Sequence, residues 1–510
     1  ITAGQISLFG GVSVALELQP AGANRHWTFY EGKPQAAGVE DLKFTWEPAR
    51  FGWVYPLGRA YLLSSDERYP AAFWNYLDVF CQANPPNLGP NWSSAQEVAL
   101  RLLALLFAAS AFKQSPLSSP ARCSQLAGVI AAHAQRLPLT LSYARAQNNN
   151  HLISEALGLY CAGAALAEHP QAASWRKTGW RWLNRALQNQ IQPSGIYTQH
   201  SMNYHRLMLQ AALQALLPGQ PFPPLTMRRL ASAATWLLAQ IDPTSGHAPN
   251  LGSNDGAHIL PLASGGFADY RAVGQAAARA FLNQPAFPPG PWDELGLWLG
   301  QNLTSQQRIP PLPPCRSVHR LGDPTSWATL RAVHFRQRPA HADQLHVDLW
   351  WKGENIARDS GTYRYTAPLP WDNALAQTAV HNTITVNHQN QMLRAGRFLW
   401  LDWAQAKLFS PPNIQTETLA AQHNGYAHLG VIHRRVLKRV DPRHWQIADD
   451  LRSTTNPRLD ISRGKLYPFT IHWLLPDWPW NLDDSTLTLD HPAGGKVRLT
   501  LSPSLPEPSS

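Results

Sequence analysis

The sequence predicts an α+β protein of more than one domain, in which a helical region is followed by an antiparallel β-sandwich. The chain has 510 residues, too many for one ordinary core. Apolar residues recur every three or four positions through its first part, whereas from about Pro310 they alternate in short runs between turn residues. We therefore predict a helical domain over residues 1–308 and a sandwich domain over residues 309–510, with the Pro/Leu-rich stretch Ile309–Pro314 as the linker.

The helical part contains many separate helices. Ser94 followed by Glu97 predicts a capping box, and Val98, Leu102 and Leu105 then follow at helical spacing. Further helical patterns are separated by proline-rich breaks, and no sequence repeat relates them. Hairpin-sized helices of this kind are typical of an α/α toroid or a helix bundle.

Two histidines and a carboxylate fall at strand ends and turns of the sandwich part. His341 precedes the alternating run Leu345–Trp351, Asp359 begins an Asp-Ser-Gly turn, and His381 opens a second alternating run. Antiparallel pairing could bring the three side chains together as a zinc site with one open position. The chain has 20 histidines, however, so spacing alone favours chance placement.

The charge and the tryptophan content indicate the class of partner. The formal net charge is +10, and the basic residues are scattered singly, which favours an electropositive cleft for a polyanion such as nucleic acid or acidic polysaccharide. The 21 tryptophans favour sugar, because indole faces stack on pyranose rings. No nucleic-acid-binding motif is present, so we expect no nucleic-acid partner. No apolar run reaches membrane-spanning length, so we expect no membrane partner either.

The four cysteines predict neither a disulfide framework nor a thiolate metal site, because they are far apart and form no C-x-x-C pair. The sequence begins at Ile1 without an initiator methionine. We expect a periplasmic or secreted location if a leader was removed, and a cytoplasmic one otherwise. Nothing in the sequence indicates an oligomeric state.

Two stretches of the helical part have a high density of polar residues. In the first, Asn150 and His151 open an apolar helix, where a cap and an ordinary pair with Glu155 explain them equally well. In the second, Tyr204 precedes a histidine and an arginine. This tyrosine is either surface decoration or, if cations gather around it and lower its pKa, a proton-transfer group.

The chain resembles the heparinase II/III-like polysaccharide lyases. The matching stretches run in the family's order along nearly the whole chain: DLKFTWEPARF at 41–51, NWSSAQEVALR at 91–101, NNNHLISEALGLY at 148–160, QHSMNYHRLMLQ at 199–210, and HAD, DSGTY and HNT within 341–392. The resemblance implies an incomplete α/α toroid followed by an antiparallel β-sandwich. It also implies cleavage of uronic-acid-containing polysaccharides (heparan sulfate, chondroitin, hyaluronan or alginate) by β-elimination.

By resemblance, Asn150, His151 and Tyr204 match catalytic positions. An amide such as Asn150, helped by His151, would hydrogen-bond the uronate carboxylate and stabilise the charge that develops when the C5 proton is removed. Tyr204 would protonate the departing O4, and for syn geometry it could also be the base. His151 is the expected base for the other epimer.

The resemblance also assigns His341, Asp359 and His381 to the family's zinc site, with a structural role for the metal. One departure concerns Pro339, which stands where many relatives have a histidine that reaches the substrate. A non-catalytic acidic-polysaccharide-binding protein with the same fold is therefore the alternative function. A glycoside hydrolase would need paired carboxylates instead.

Further polar and aromatic side chains are expected to contact substrate, although turn chemistry and helix solvation explain them equally well. These expected substrate-binding residues are Arg101, His205, Asn254, Trp371 and Tyr426.

Overall fold

The computed structural model divides the chain into two compact units. The first comprises Ile1–Ile241, Gly246–Val318 and Gly361–Leu375, and the second comprises Asp242–Ser245, His319–Ser360 and Ala376–Ser510. The structure describes residues 1–8, 11–20, 24–31, 33, 41–303, 311, 313–363, 365, 367–410, 417–454 and 467–502. The predicted boundary at residue 308 and much of the predicted linker lie outside the described residues.

The first unit is mainly helical. Its α-helices are α1 (Lys43–Ala49), α2 (Val54–Ser64), α3 (Arg68–Ala83), α4 (Ala95–Ala111), α5 (Pro120–Arg136), α6 (Leu141–Gln147), α7 (Asn150–Ala165), α8 (Ala172–Gln190), α9 (Met202–Gln214), α10 (Pro224–Gln240), α11 (Arg271–Ala277) and α12 (Glu294–Trp298). A two-stranded antiparallel hairpin, β1 (Gln5–Leu8) and β2 (Val12–Ala15), precedes them. Within the described residues, no helix has the length and hydropathy that a membrane crossing requires.

The helices form an inner and an outer set. Helices α7 and α9 are buried on nearly every side, as apolar helices in a protein interior are. Helix α8 instead buries one stripe, which includes Trp175, Leu183 and Leu187. Gly179 allows α8 to approach α7 closely, because a Cβ atom there would lie 2.4 Å from the backbone nitrogen of Tyr160. This packing holds α8 against the middle of α7, the helix that begins with Asn150 and His151.

The second unit consists of antiparallel strands. They are β3 (Arg320–Gly322), β4 (Ser326–Leu330), β5 (Val347–Trp351), β6 (Glu354–Ala357), β7 (Ile384–Val386), β8 (Leu393–Gly396), β9 (Leu399–Leu401), β10 (Ala406–Leu408), β11 (Thr418–His423), β12 (Val431–Asp441), β13 (His444–Ser453), β14 (Phe469–Ile471), β15 (Trp480–Asp483), β16 (Thr486–Asp490) and β17 (Lys496–Thr500).

Two four-stranded sheets form the main sandwich, with strand orders β3-β4-β5-β6 and β10-β11-β12-β13. Their inner faces share one apolar cluster, in which Leu330 and Val347 of the first sheet pack with Ala421 and Leu437 of the second. Strand β5 differs from the expected half-buried strand, because Asp348 and Trp350 on its other face are buried too. That second buried face is the side on which His346 and Asp359 lie close to Asp348.

The predicted capping box at Ser94 is wrong, although α4 does begin directly after this residue. The Ser94 side chain makes no capping hydrogen bond. The Glu97 carboxylate instead forms an ion pair with Arg50, which lies just beyond α1. Tertiary pairing therefore replaces the local cap and ties α4 to α1.

Candidate active site

Tyr204 lies in the first turn of α9, and the backbone around it is held in place. The Ser201 hydroxyl caps the helix by accepting a hydrogen bond from the Tyr204 backbone N–H at 3.0 Å. The same hydroxyl donates to the carbonyl of Ser253 at 2.5 Å. The start of α9 and the loop around Ser253 are thereby joined.

The Tyr204 phenol is buried and contacts a second phenol. Its hydroxyl lies 3.2 Å from the hydroxyl of Tyr365. Burial, then the charge of Asp255 and the neighbouring phenol, raises the pKa of Tyr204 well above its ordinary value. The sequence analysis considered a lowered pKa of Tyr204, caused by cations gathered around it. The structure gives a raised pKa instead. Tyr204 is protonated at neutral pH and is suited to donate a proton.

Asp255 and Lys43 form an ion pair beside these phenols. The Lys43 Nζ lies 2.9 Å from the Asp255 carboxylate and 4.2 Å from the centre of the Tyr365 ring. Burial acts to raise the pKa of Asp255, but Lys43 and Arg50 outweigh it and hold the pKa below its ordinary value. Asp255 is therefore ionised, and its charge helps to keep the Tyr204 proton in place.

Arg50 is shared by two carboxylates. It forms ion pairs with Glu47 and Glu97, and its Nη2 lies 2.8 Å from Glu97 Oε1. Burial raises the pKa of Glu47 to about 7; the cation Arg50 opposes this rise, and repulsion from Glu97 adds to it. Glu47 therefore changes its protonation state near neutral pH even though it contacts an arginine.

We expect Glu47→Gln to change how stability depends on pH. Between its ordinary pKa of 4.5 and about 7, folded Glu47 keeps a proton that the unfolded chain has released. The free energy of unfolding of the natural protein should therefore fall as the pH rises through this window, and the variant should lack that component, roughly 3 kcal/mol. Urea titrations at several pH values measure it. The control variant Glu168→Gln, which changes an exposed glutamate, should show the same decrease in the free energy of unfolding as the natural protein. If Glu47→Gln also showed that full decrease, the raised pKa of Glu47 would be contradicted.

Asn150 and His151 begin α7. Asn149 caps the helix by accepting from the His151 backbone N–H at 3.0 Å, and the Asn150 backbone N–H donates to Gln199 Oε1 at 2.8 Å. Among the described residues, the Asn150 side-chain amide has no hydrogen-bond partner, so it is available to a ligand. Burial lowers the pKa of His151 to about 4, so its imidazole is neutral at physiological pH. The Asn150–Gln199 hydrogen bond joins the start of α7, with Asn150 and His151, to the segment that leads into α9 and Tyr204.

Two of the expected substrate contacts lie at accessible positions of the same unit. Asn254 is partly exposed, and its side chain donates to Asn250 Oδ1 at 2.7 Å. Trp371 is 56% exposed and meets Tyr363, 60% exposed, edge-on with ring centres 6.5 Å apart. These aromatic surfaces are available for stacking on a sugar ring.

Three other expected substrate contacts do not fit the structure. Arg101 is fully buried and donates to His133 and to the carbonyls of Ala49 and Asn91. The remaining two, His205 and Tyr426, are also fully buried. The His205 ring stacks on a tryptophan and bonds a backbone carbonyl, while the Tyr426 hydroxyl donates to backbone carbonyls within the second unit. Each of these three side chains is buried and bonded within the protein, so a substrate cannot reach it.

The second unit holds a buried cluster of histidines and carboxylates. His381 lies beside both other predicted metal ligands: its Nδ1 is 3.6 Å from Asp359 Oδ2, and its ring centre is 5.2 Å from that of His341. The two compact groups within it are His341 with Asp343 and His381, and His346 with Asp359 and His381. His381 belongs to both groups, so it is the centre of the cluster.

The contacts that Asp343 and His346 make within the protein distinguish these two residues from the predicted metal ligands. Asp343 is already paired with Arg331, at 2.7 Å. His346 Nδ1 accepts the backbone N–H of Asn382 at 3.0 Å, so its other nitrogen carries the proton; that Nε2 lies 3.7 Å from Asp348 Oδ2 and 4.0 Å from Asp359 Oδ2. A ring that accepts at one nitrogen and holds a proton at the other has no lone pair for a metal. His346 is therefore not one of the proposed ligands.

The predicted ligands His341 and Asp359 each lie beside His381 but belong to different compact groups, and the chemistry of all three suits a metal ion. Both ring nitrogens of His341 and of His381 are buried without a hydrogen-bond partner in the described part of the chain. Burial and the neighbouring His381 lower the pKa of His341 to about 3, so this imidazole is neutral. Two neutral imidazoles and a carboxylate form a donor set that zinc accepts.

The sequence analysis missed several residues of the site. Lys43, Glu47 and Arg50 recur at helical spacing within DLKFTWEPARF, and this pattern would have placed their charges on one side of α1. Tyr365 follows the DSGTY motif and carries no such signal. Its contact with Tyr204 spans 161 positions and depends on the tertiary fold.

Comparison with known protein families identifies the architecture. The family described as heparinase II/III N-terminus matches residues 16–221, and the one described as heparinase II/III-like, C-terminal, matches residues 329–502. The chain belongs to the heparinase II/III-like family. Solved structures of this family align with it: heparinase III gives a TM-score of 0.61 at 19% identity, covering 87% of this chain and 68% of that one. The heparan sulfate lyase of Pedobacter heparinus gives 0.53 at 19% identity, covering 91% and 69%. They confirm the predicted incomplete α/α toroid and antiparallel β-sandwich.

Curated members of the heparinase II/III-like family cover most of the chain. A heparin-sulfate lyase of Bacteroides stercoris is 24% identical over 479 residues, and one of Pedobacter heparinus is 23% identical over 465 residues. Each alignment covers 84% of this chain and 65% of the relative. The chain therefore spans slightly less than two thirds of the length of these relatives.

Proposed function

We propose that this protein is a polysaccharide lyase that cleaves a uronic-acid-containing glycosaminoglycan by β-elimination. The observation that carries the proposal is the hydrogen bond from the Asn150 backbone N–H to Gln199, which joins the start of α7 to the segment before α9. It links the helix that carries the neutral imidazole of His151 to the helix that carries the buried, protonated phenol of Tyr204. The adjacent amide of Asn150 adds a free hydrogen-bonding group. The two curated relatives are named heparin-sulfate lyases, which makes heparan sulfate the first substrate to test.

Each group has a distinct task in the elimination. The Asn150 amide donates to the uronate carboxylate and stabilises the charge that forms as C5 loses its proton. His151 accepts that proton, and a bound uronate raises the low pKa of His151 because its negative charge favours imidazolium. The C5–H electron pair becomes the C4–C5 double bond, the C4–O4 bond breaks, and Tyr204 gives its proton to O4.

The Lys43–Asp255 pair and Tyr365 act on Tyr204 as positioning groups. The Tyr365 hydroxyl contacts the Tyr204 hydroxyl, and Lys43 lies over the Tyr365 ring. When Tyr204 has lost its proton, Tyr365 donates a hydrogen bond to the phenolate and thereby stabilises it. Exposed Trp371 and partly exposed Asn254 are proposed sugar contacts.

Zinc is the proposed metal, with His341, Asp359 and His381 as its ligands. When bound, the ion would cross-link segments of the second unit that lie far apart in sequence. The proposed role is therefore structural.

The test is absorbance of the conjugated C4–C5 double bond during incubation with heparan sulfate, chondroitin sulfate, hyaluronan and alginate. We expect absorbance to rise with heparan sulfate. The alternative function, a non-catalytic acidic-polysaccharide-binding protein, is favoured by Pro339, which lacks the proton-accepting group of a histidine. Binding without any rise in absorbance would establish that alternative. New reducing ends without the chromophore would indicate a hydrolase.

A further inference from the structure

Helix α8 carries an unusual charge pattern. Its sequence, AASWRKTGWRWLNRALQNQ, contains Arg176, Lys177, Arg181 and Arg185 but no acidic residue. Lys177, Arg181 and Arg185 follow one another at i,i+4 spacing, which places like charges side by side on the helix, where they repel one another. An anionic ligand would relieve this repulsion.

Three arginines surround one indole at the surface of this helix. The guanidinium carbons of Arg145, Arg181 and Arg185 lie 3.8, 5.1 and 5.5 Å from the centre of the Trp182 ring. The three arginines are exposed, whereas Trp182 is half-buried. The indole holds the guanidinium groups together and restricts their motion, so a ligand would find them partly ordered in advance. We call these four residues the arginine–tryptophan cluster.

The positive charge of this cluster is not balanced within the protein. Throughout the described residues, no carboxylate forms an ion pair with Arg145, Arg181 or Arg185. Arginines elsewhere in the same unit, such as Arg59 and Arg271, are paired with acids. The guanidinium N–H groups of the cluster are therefore free to bind an external anion.

Three residues of the cluster line a groove close to the start of α7. Arg145, Trp182 and Arg185 line it together with Asn148. Asn148 is tied to the end of α8 by a hydrogen bond from Gln190, at 3.3 Å. Only two positions separate Asn148 from Asn150, so their Cα atoms are at most about 7 Å apart. A residue that lines the groove is therefore close to the backbone of Asn150, the proposed carboxylate contact.

We propose that the arginine–tryptophan cluster is a subsite for the carboxylate and sulfate groups of an acidic polysaccharide, distant from the bond that is cleaved. The planar guanidinium groups match the paired oxygens of both anions. The inference rests on the proposed function, because the ligand is a further part of the same polymer. It assigns α6 and α8 the task of holding the chain beyond the reacting sugar.

The test measures binding separately from cleavage. In a Tyr204→Phe background, which keeps the polymer intact, the affinity for fluorescently labelled heparan sulfate is compared between two double variants. Arg145→Gln with Arg185→Gln removes two charges from the cluster, and Lys113→Gln with Arg228→Gln removes two exposed charges elsewhere in the same unit. We expect about a tenfold or larger loss of affinity in the first only, because hydrogen bonds to charged groups contribute about 1.5 to 3 kcal/mol each. The slope of log Kd against log salt should fall by roughly one to two.

Other outcomes separate this inference from the proposed function. The subsite would be overturned if the two double variants bound heparan sulfate with equal affinity. It would also be overturned if the Tyr204→Phe protein without further substitutions did not bind heparan sulfate. A DNA duplex that competes as well as heparan sulfate would overturn it too, because the cluster would then be a general anion surface. If the affinity loss is confined to the cluster variant but the natural protein generates no chromophore, the subsite is supported and the lyase proposal fails.

Discussion

Replacing Tyr204 by phenylalanine should reduce the elimination rate by about a hundred- to ten-thousand-fold, the usual contribution of a positioned proton donor. The ring remains to fill its buried position, and the lost contact with the Tyr365 hydroxyl costs only about 1 kcal/mol of stability. The loss should therefore appear in kcat, measured by ultraviolet absorbance on heparan sulfate, while the thermal unfolding temperature changes little.

A second tyrosine of the same unit provides the control for this variant. The Tyr76 hydroxyl donates to the carbonyl of Ile1 at 3.1 Å, so Tyr76→Phe also removes one hydroxyl and one hydrogen bond. It should keep the natural rate, since Tyr76 has no part in the proposed chemistry. If Tyr204→Phe turned over substrate as fast as Tyr76→Phe, another group would have to be the acid.

Loss of the metal should destabilise the second unit. Ligand binding stabilises a folded protein by about 4 kcal/mol when the free ion exceeds its dissociation constant a thousandfold. His381 lies beside both other proposed ligands, so His381→Ala should abolish zinc binding. We expect elemental analysis to find one zinc ion per natural chain and none in the variant, and chelation of the natural protein to lower its unfolding temperature to about that of the variant.

An exposed histidine of the same unit provides the control, because replacing it removes an imidazole without removing a proposed metal ligand. His428 bonds the Gln389 side chain at 2.9 Å and belongs to neither of the compact His/Asp groups. His428→Ala should retain the zinc and its response to chelation. Zinc retained in His381→Ala, or a natural protein without zinc, would show that the cluster serves another purpose.

Sequence spacing predicted part of the proposed metal site, but not the roles of all the residues in it. His341, Asp359 and His381 stand at strand ends and turns, and that much followed from the alternating pattern around them. The pattern carried no information on which nitrogen of His346 holds a proton. That assignment needed the hydrogen bond from the Asn382 backbone, a contact between segments 36 positions apart.

Residues next to a functional side chain were the least predictable. Tyr204 and His205 are neighbours, yet consecutive helical residues point about 100° apart, so one side chain reaches the phenol of Tyr365 while the other stacks in the core. Arg101 was also expected to contact substrate, but its guanidinium group is hydrogen-bonded to carbonyls and a histidine inside the protein. Polarity in the sequence shows that a partner is needed, but not whether that partner is protein or substrate.

The sequence by itself determined the two architectures, because helical and strand periodicities are local properties of the chain. It also determined the family, whose motifs occur in order along the chain. The tertiary structure alone decided the electrostatics of the site. Burial and the charge of Asp255 keep the proton on Tyr204, and burial outweighs the effect of Arg50, so that the pKa of Glu47 is about 7. Both effects depend on distances between segments that the fold brings together, and on the removal of water around them.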